Sequence, residues 1–145
     1  MDREIAIAAY YEADPMRKSG RDVFDWLAEA ATGVLDAAGL KKTDVDGLIT
    51  NMAQSGASSS FWSILVSESL GMTPRWLEAV DIGGGSPAGG VARAAAAIKA
   101  GFAHTVLVVV ADATSNSASP ATWATASSSR TPMAPPARPG CSGRL

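Results

Sequence analysis

Trp76-Leu-Glu-Ala-Val-Asp-Ile-Gly-Gly-Gly-Ser-Pro-Ala-Gly-Gly90, continued by Val91–Gly101, decides the fold. An apolar run ends at Ile82, and a glycine-rich turn follows from Gly83 to Ser86. An alanine-rich segment then reads as a helix from about Ser86 to Ala100, stopped by Gly101, with a second apolar run at Thr105–Val110. Strand, tight turn, helix and strand make a βαβ unit. Such a turn presents backbone N–H groups at a helix N-terminus, where a negative or developing negative charge is held. Any chemistry is expected there.

Working outward, Glu4–Tyr11 is an apolar run that predicts a buried first strand. Asp14-Pro15 and Ser19-Gly20 mark a loop. Ser19 and Asp22 have the spacing of a capping box, and Val23, Leu27, Ala30, Ala31, Val34, Leu35 and Ala38 follow at helical spacing to Gly39. Gly47–Thr50 predicts a short strand, and Phe61, Ile64 and Leu65 a second helix from Ser58–Ser60 to Gly71. Thr73-Pro74 breaks the chain before a strand at Trp76–Ile82, and Thr105–Asp112 is the last strand. The expected fold class is α/β: a layered β-α-β-α-β-α-β arrangement with a mostly parallel sheet. The helix after the glycine turn is small on every side (Ala88, Gly89, Gly90, Ala92 and Ala94 to Ala97), which predicts close packing all round.

Composition divides the 145 residues into two objects. All 14 acidic residues lie at or before Asp112. From Ala113 to Leu145 there is no Asp, Glu, Val, Ile, Phe or Tyr, and that stretch holds Pro120, Pro132, Pro135, Pro136 and Pro139 of the eight prolines. The expectation is a domain at 1–112 and an Ala/Ser/Pro-rich, disordered tail at 113–145. A net charge of −2 gives no electrostatic case for nucleic acid or an anionic membrane. No apolar run reaches the roughly 20 residues of a membrane span, and the charged Met1-Asp-Arg-Glu start is not a secretion signal, so a cytoplasmic protein is expected. A single cysteine, Cys141, and a single histidine, His104, leave no disulfide framework and no metal site.

The glycine turn admits several readings. Gly83-x-Gly85-x-x-Ala88, with Asp112 ending the next strand, fits a dinucleotide fingerprint and a nucleotide-binding βαβ domain. Gly84-x-Ser86-x-Ala88 approximates a nucleophile elbow, but its only candidate base is His104, at the far end of the helix. Ser86 also suits an N-cap, Asp81 a local cap or pair, and the glycines a close approach of helix to sheet.

The third reading covers the whole body. Ile98-Lys-Ala-Gly101 with Thr105-Val-Leu-Val-Val-Val110, Arg21–Gly39, Val45-Asp-Gly-Leu-Ile49 and Leu70-Gly-Met72 stand in the order and spacing of the N-terminal half of the thiolase superfamily, which residues 3–112 resemble. Val80-Asp-Ile-Gly-Gly-Gly-Ser86 is most similar to sterol-carrier-type (lipid-transfer) thiolase homologues. The resemblance implies acyl-CoA, lipid or steroid metabolism, with a CoA thioester as substrate and carbon–carbon bond-forming or -cleaving acyltransferase chemistry. It places Gly84 where the family carries its nucleophilic cysteine, and glycine cannot form an acyl thioester. Gly84, Gly85 and Ser86 are then candidates for an oxyanion-binding turn, and Gln54 lies where some members carry a loop glutamine near a dimer interface.

Some family members that lack the cysteine cleave C–C bonds by retro-aldol chemistry, so a CoA-dependent lyase subunit stands beside a non-catalytic subunit as an alternative. The implied partners are a second copy, or a second thiolase-like or OB-fold subunit. The family's second half supplies its histidine and other catalytic groups, so this chain is expected to be an inactive fragment on its own. The acid-free tail has the composition of a GC-rich gene read out of frame. One permissible back-translation of residues 121–143, read from the third nucleotide, yields a Gly-Pro-x-x-Pro-Ala pattern similar to a downstream segment of such thiolases.

Overall fold

A computed structural model describes residues 4–16, 19–53, 55 and 60–113. Its elements are α1 (Val23–Ala38), β1 (Gly47–Asn51), α2 (Trp62–Ser69), β2 (Trp76–Val80), α3 (Ser86–Ala100) and β3 (Val106–Val109), with 3-10 turns at Lys42–Asp44 and Gly83–Gly85. The three strands form one parallel sheet in the order β2-β1-β3, aligned Gly47 to Trp76 and Gly47 to Val106. The α/β class and the parallel sheet are as expected from the sequence.

Side chains alternate across each strand and bind a helix layer to each face. Leu48, Leu107 and Val109 join Leu27, Ala31 and Leu35 of α1 and Trp62 and Val66 of α2 in the larger core. Ile49 and Val80 turn the other way, onto Ala94 of α3. That second face is close because it is bare of side chains. A Cβ on Gly89 would lie 2.6 Å from Ile82 Cδ1, and one on Gly90 would lie 2.9 Å from Val108 Cγ1. Those two glycines do what close helix–sheet approach requires.

Local chemistry sets the helix ends. The capping box of α1 lies one turn later than the Ser19–Asp22 pair that the sequence suggests. Asp22 is the N-cap: its carboxylate accepts from Asp25 N–H at 3.0 Å, and the Asp25 carboxylate accepts from Asp22 N–H at 3.1 Å. Ser19 instead accepts from Arg21 N–H at 3.2 Å. Asp22 wins because it is adjacent to the first apolar residue of the helical stripe, Val23. Gly39 closes α1 at φ 67°, and Leu40 N–H reaches Leu35 O at 2.9 Å. Helix α2 begins at Trp62, later than expected, and Gly71 ends it at φ 64°.

The expected first strand is the main departure. Glu4–Tyr11 belongs to no sheet, and Ile7 and Tyr10 are 77% and 75% exposed. The segment is fastened by Tyr11, whose ring lies against Gly33 of α1 and whose hydroxyl donates to Glu29 at 3.2 Å. An apolar run becomes a strand only where a ladder receives it, and no described strand pairs with this one. Of the expected tail at 113–145 only Ala113 is described, and it is buried in the larger core; residues 114–145 and Gln54 lie outside the described residues.

Candidate functional site

The chain leaves β1 for α2 on one face of the sheet and leaves β2 for α3 on the other. Adjacent strands whose connections part in this way open a crevice at their carboxyl ends, the usual ligand site of open α/β sheets. The Gly83–Ser86 turn sits at that crevice, after β2 and ahead of α3.

The turn is built from the inside by Ser86. Its side chain is 4% exposed; the hydroxyl donates to Gly83 O at 2.8 Å and accepts from Ile82 N–H at 3.2 Å. Gly83 turns the chain at φ 61°, a left-handed conformation suited to glycine. Gly85 N–H reaches Ile82 O at 3.3 Å, and Ser86 N–H bonds to Gly83 O. Of the expected donors at Gly84, Gly85 and Ser86, the last two are therefore engaged within the turn. The N–H groups of Gly83 and Gly84 precede the first turn bond and have no backbone acceptor among the described residues. Gly84 itself is exposed, and a Cβ built on it would meet nothing within 4 Å.

The nucleophile-elbow reading fails on this geometry. The Ser86 hydroxyl is buried and committed in both directions, and Gly85, not Ser86, occupies the N-cap position. His104 lies at the opposite end of the sheet, after α3 and before β3. There it belongs to a clasp that sequence reasoning missed. The Asp46 carboxylate accepts from His104 N–H at 2.7 Å and Thr105 N–H at 2.8 Å, and pairs with His104 Nδ1 at 2.9 Å. Burial pushes the Asp46 carboxyl up, but the N–H groups of Thr105 and His104 and the His104 ring outweigh it and hold the pKa at about 2. Arg75 completes the clasp, donating to Phe102 O and Gly101 O at 2.8 Å each. A lone acidic residue at a strand entry gave no sequence signal, because its partners lie 58 and 59 positions away.

Asp112 does reach the carboxyl edge, yet its carboxylate accepts from Ser55 Oγ at 2.6 Å and Ser55 N–H at 3.1 Å. Beside it the Asn51 side chain extends the β1–β3 ladder, with Nδ2 donating to Ala111 O and Oδ1 accepting from Ala111 N–H, each at 3.1 Å. Asp112 thus ties the loop after β1 to the end of β3. The free acidic side chain that ribose recognition uses is not what these contacts describe. Asp81 is exposed and makes no hydrogen bond or ion pair among the described residues. Among the described residues no cluster of His, Cys, Asp and Glu is able to hold a metal ion, and no helix is long and apolar enough to cross a membrane.

Such a site defines a class: a parallel α/β/α layer with a glycine turn at its switch point and no free nucleophile on that turn. Comparison with known proteins narrows the class. No protein-family model matches the chain. Over 103 residues, 70% of the chain, it is 32% identical to the steroid side-chain-cleaving aldolase of Thermomonospora curvata. The solved structure of an Ltp2-ChsH2(DUF35) aldolase superposes with a TM-score of 0.52 at 32% identity over 63% of the chain. The chain spans about a quarter of each relative's length, 25% of the first and 23% of the second. Both relatives are named as aldolases, the first for steroid side-chain cleavage.

Proposed function

We propose that residues 4–113 are the N-terminal part of a thiolase-fold carbon–carbon lyase that cleaves a side chain beside a CoA thioester by retro-aldol chemistry. The observation that carries this reading is a turn equipped to bind and not to attack: Gly84 has no side chain, and the Ser86 hydroxyl is buried and fully bonded. The named activity of the relatives supplies the reaction type.

In that reaction a base removes the proton of a β-hydroxyl group. The Cβ–O bond becomes a carbonyl as the Cα–Cβ bond breaks, and the electron pair moves onto the thioester as an enolate that is then protonated at Cα. Charge develops on the thioester oxygen, where preorganised N–H donors lower the barrier most. The N–H groups of Gly83 and Gly84 are the donors this chain offers, backed by the N-terminus of α3. The proton acceptor comes from the rest of the longer protein or from a partner subunit. Covalent thiolase chemistry is not part of the proposal.

The test is amide NMR of the chain titrated with an acyl-CoA. The expected result is a shift of the Gly83 and Gly84 N–H resonances, with smaller effects at the internally bonded Gly85 and Ser86. Shifts confined to the His104 end of the sheet, or none, would refute the assignment.

A further inference from the structure

No residue of 4–16 is buried, and among the described residues no backbone–backbone hydrogen bond joins this segment to the rest of the fold. Tyr11 is what anchors it. The Tyr11 ring occupies the place that a side chain at 33 would take: a Cβ built on Gly33 would stand 2.6 Å from Tyr11 Cγ, and closer still to Cδ2. The Tyr11 hydroxyl donates to Glu29 at 3.2 Å. Arg21 holds Glu29 in place by an ion pair and itself lies over the Trp26 ring, 4.0 Å from its centre. Gly33 lies inside α1, away from both caps, where glycine weakens a helix. Its φ is not left-handed, so the turn of the backbone does not ask for glycine there. The Tyr11 ring does.

We infer that residues 4–16 are a strap, latched to α1 by the Tyr11 ring in a socket at Gly33, which opens and closes as a unit while the sheet and its helices stay folded. A segment with few buried contacts and a solvated backbone opens well below the free energy of global unfolding. Here the backbone of the strap gives up no internal hydrogen bonds on leaving, and the sheet loses none. The cost of opening is the ring contact and the bond to Glu29. Closed, the latch stores a segment of strand-forming composition, with Ile5, Ile7, Tyr10 and Tyr11, against a helix. Open, it frees the same segment, whose unpaired N–H and C=O groups are those that add to a sheet edge. Occupancy of the Gly33 socket therefore sets how much of the chain carries a free strand.

Chymotryptic cleavage after residue 11 of the full chain tests this, followed by mass spectrometry and compared with the matching free peptide of residues 4–20, with a thermal melt of each chain. The protease takes the ring only when it is out of the socket, so the rate follows the open population when reclosing is fast. The wild type is expected to be cut about tenfold or more slowly than its peptide. Gly33→Ala is expected to be cut at close to the peptide rate, because the added methyl evicts the ring. Its melting temperature is expected to be no lower than the wild type's, since alanine suits the helix better than glycine. Tyr11→Phe keeps a ring in the socket and is expected to lose less protection than Gly33→Ala. A wild type cut as fast as its peptide has no closed latch and overturns the inference. Undiminished protection in Gly33→Ala overturns the socket, as does an equal loss in Tyr11→Phe, which assigns the latch to the Glu29 hydrogen bond. A lower melting temperature in Gly33→Ala overturns the independence of the strap from the rest of the fold.

Discussion

Gly84 and Ser86 are two positions apart and are held in opposite ways. Gly84 touches nothing, and Ser86 is locked between Ile82 N–H and Gly83 O. Replacing glycine by alanine where the backbone tolerates it restricts the unfolded chain, so Gly84→Ala is expected to stabilise by about 0.4–1 kcal/mol. Gly90→Ala drives a methyl into Val108 and is expected to cost about 1–3 kcal/mol by overpacking. Ser86→Ala removes the side-chain acceptor of Ile82 N–H, while Gly83 O keeps the Ser86 N–H, and costs about 0.5–1.5 kcal/mol. Chemical denaturation of the three variants measures all of these. Sequence alone located the turn but not the division of labour within it, because burial of a serine hydroxyl depends on which carbonyl folds back over it. At the other end of the sheet, Asp46 has a folded pKa near 2 against an ordinary value of 3.8. A depressed carboxyl stabilises the fold above its unfolded pKa, and the contribution fades as pH falls from about 4 to about 2. Asp46→Asn is expected to remove that acid-limb dependence, while leaving a weaker clasp at neutral pH, in melts recorded from pH 2 to 7.

Elements were legible where a local signal and a tertiary need agreed. Helix α3 begins and ends where the turn, Pro87 and Gly101 put it, and α1 follows its apolar stripe to Gly39. The close packing expected all round α3 holds on one face only: Gly89 and Gly90 lie against Ile82 and Val108, and the opposite face is open. Glu4–Tyr11 was misread because an apolar run carries no information about which strand will pair with it. Its exposed Ile7 and Tyr10 are joined on the surface by Phe61, Ile82, Val91 and Phe102, each 44% exposed or more. The α3 face away from the sheet is also small and apolar, with Ala88, Val91, Ala92 and Ala96 exposed. Surface of this kind seeks cover, and the isolated chain is expected to self-associate. Sedimentation at rising concentration checks this; a monomer throughout, with a sharp cooperative melt, would contradict it.

At the scale of the molecule, the resemblance to a thiolase half rested on the order and spacing of modest motifs, and the parallel sheet with its switch-point turn agrees with it. The acyltransferase side of that resemblance finds no support in the relatives, which are named as aldolases. Glycine at 84 cannot form the acyl thioester of covalent thiolase chemistry. The base, the partner subunit and the substrate's identity were not legible in a chain that spans about a quarter of the relatives it matches. If the acid-free tail is an out-of-frame reading, the gene read in another frame past codon 112 continues into a second α/β half with a glycine-flanked histidine. The most direct test of the account is a chimera in which the matched 103 residues of this chain replace the corresponding segment of the Thermomonospora curvata aldolase, assayed for steroid side-chain cleavage. Cleavage by the folded chimera is the expected result. A folded, soluble chimera with no cleavage would contradict the claim that this turn serves a retro-aldol lyase.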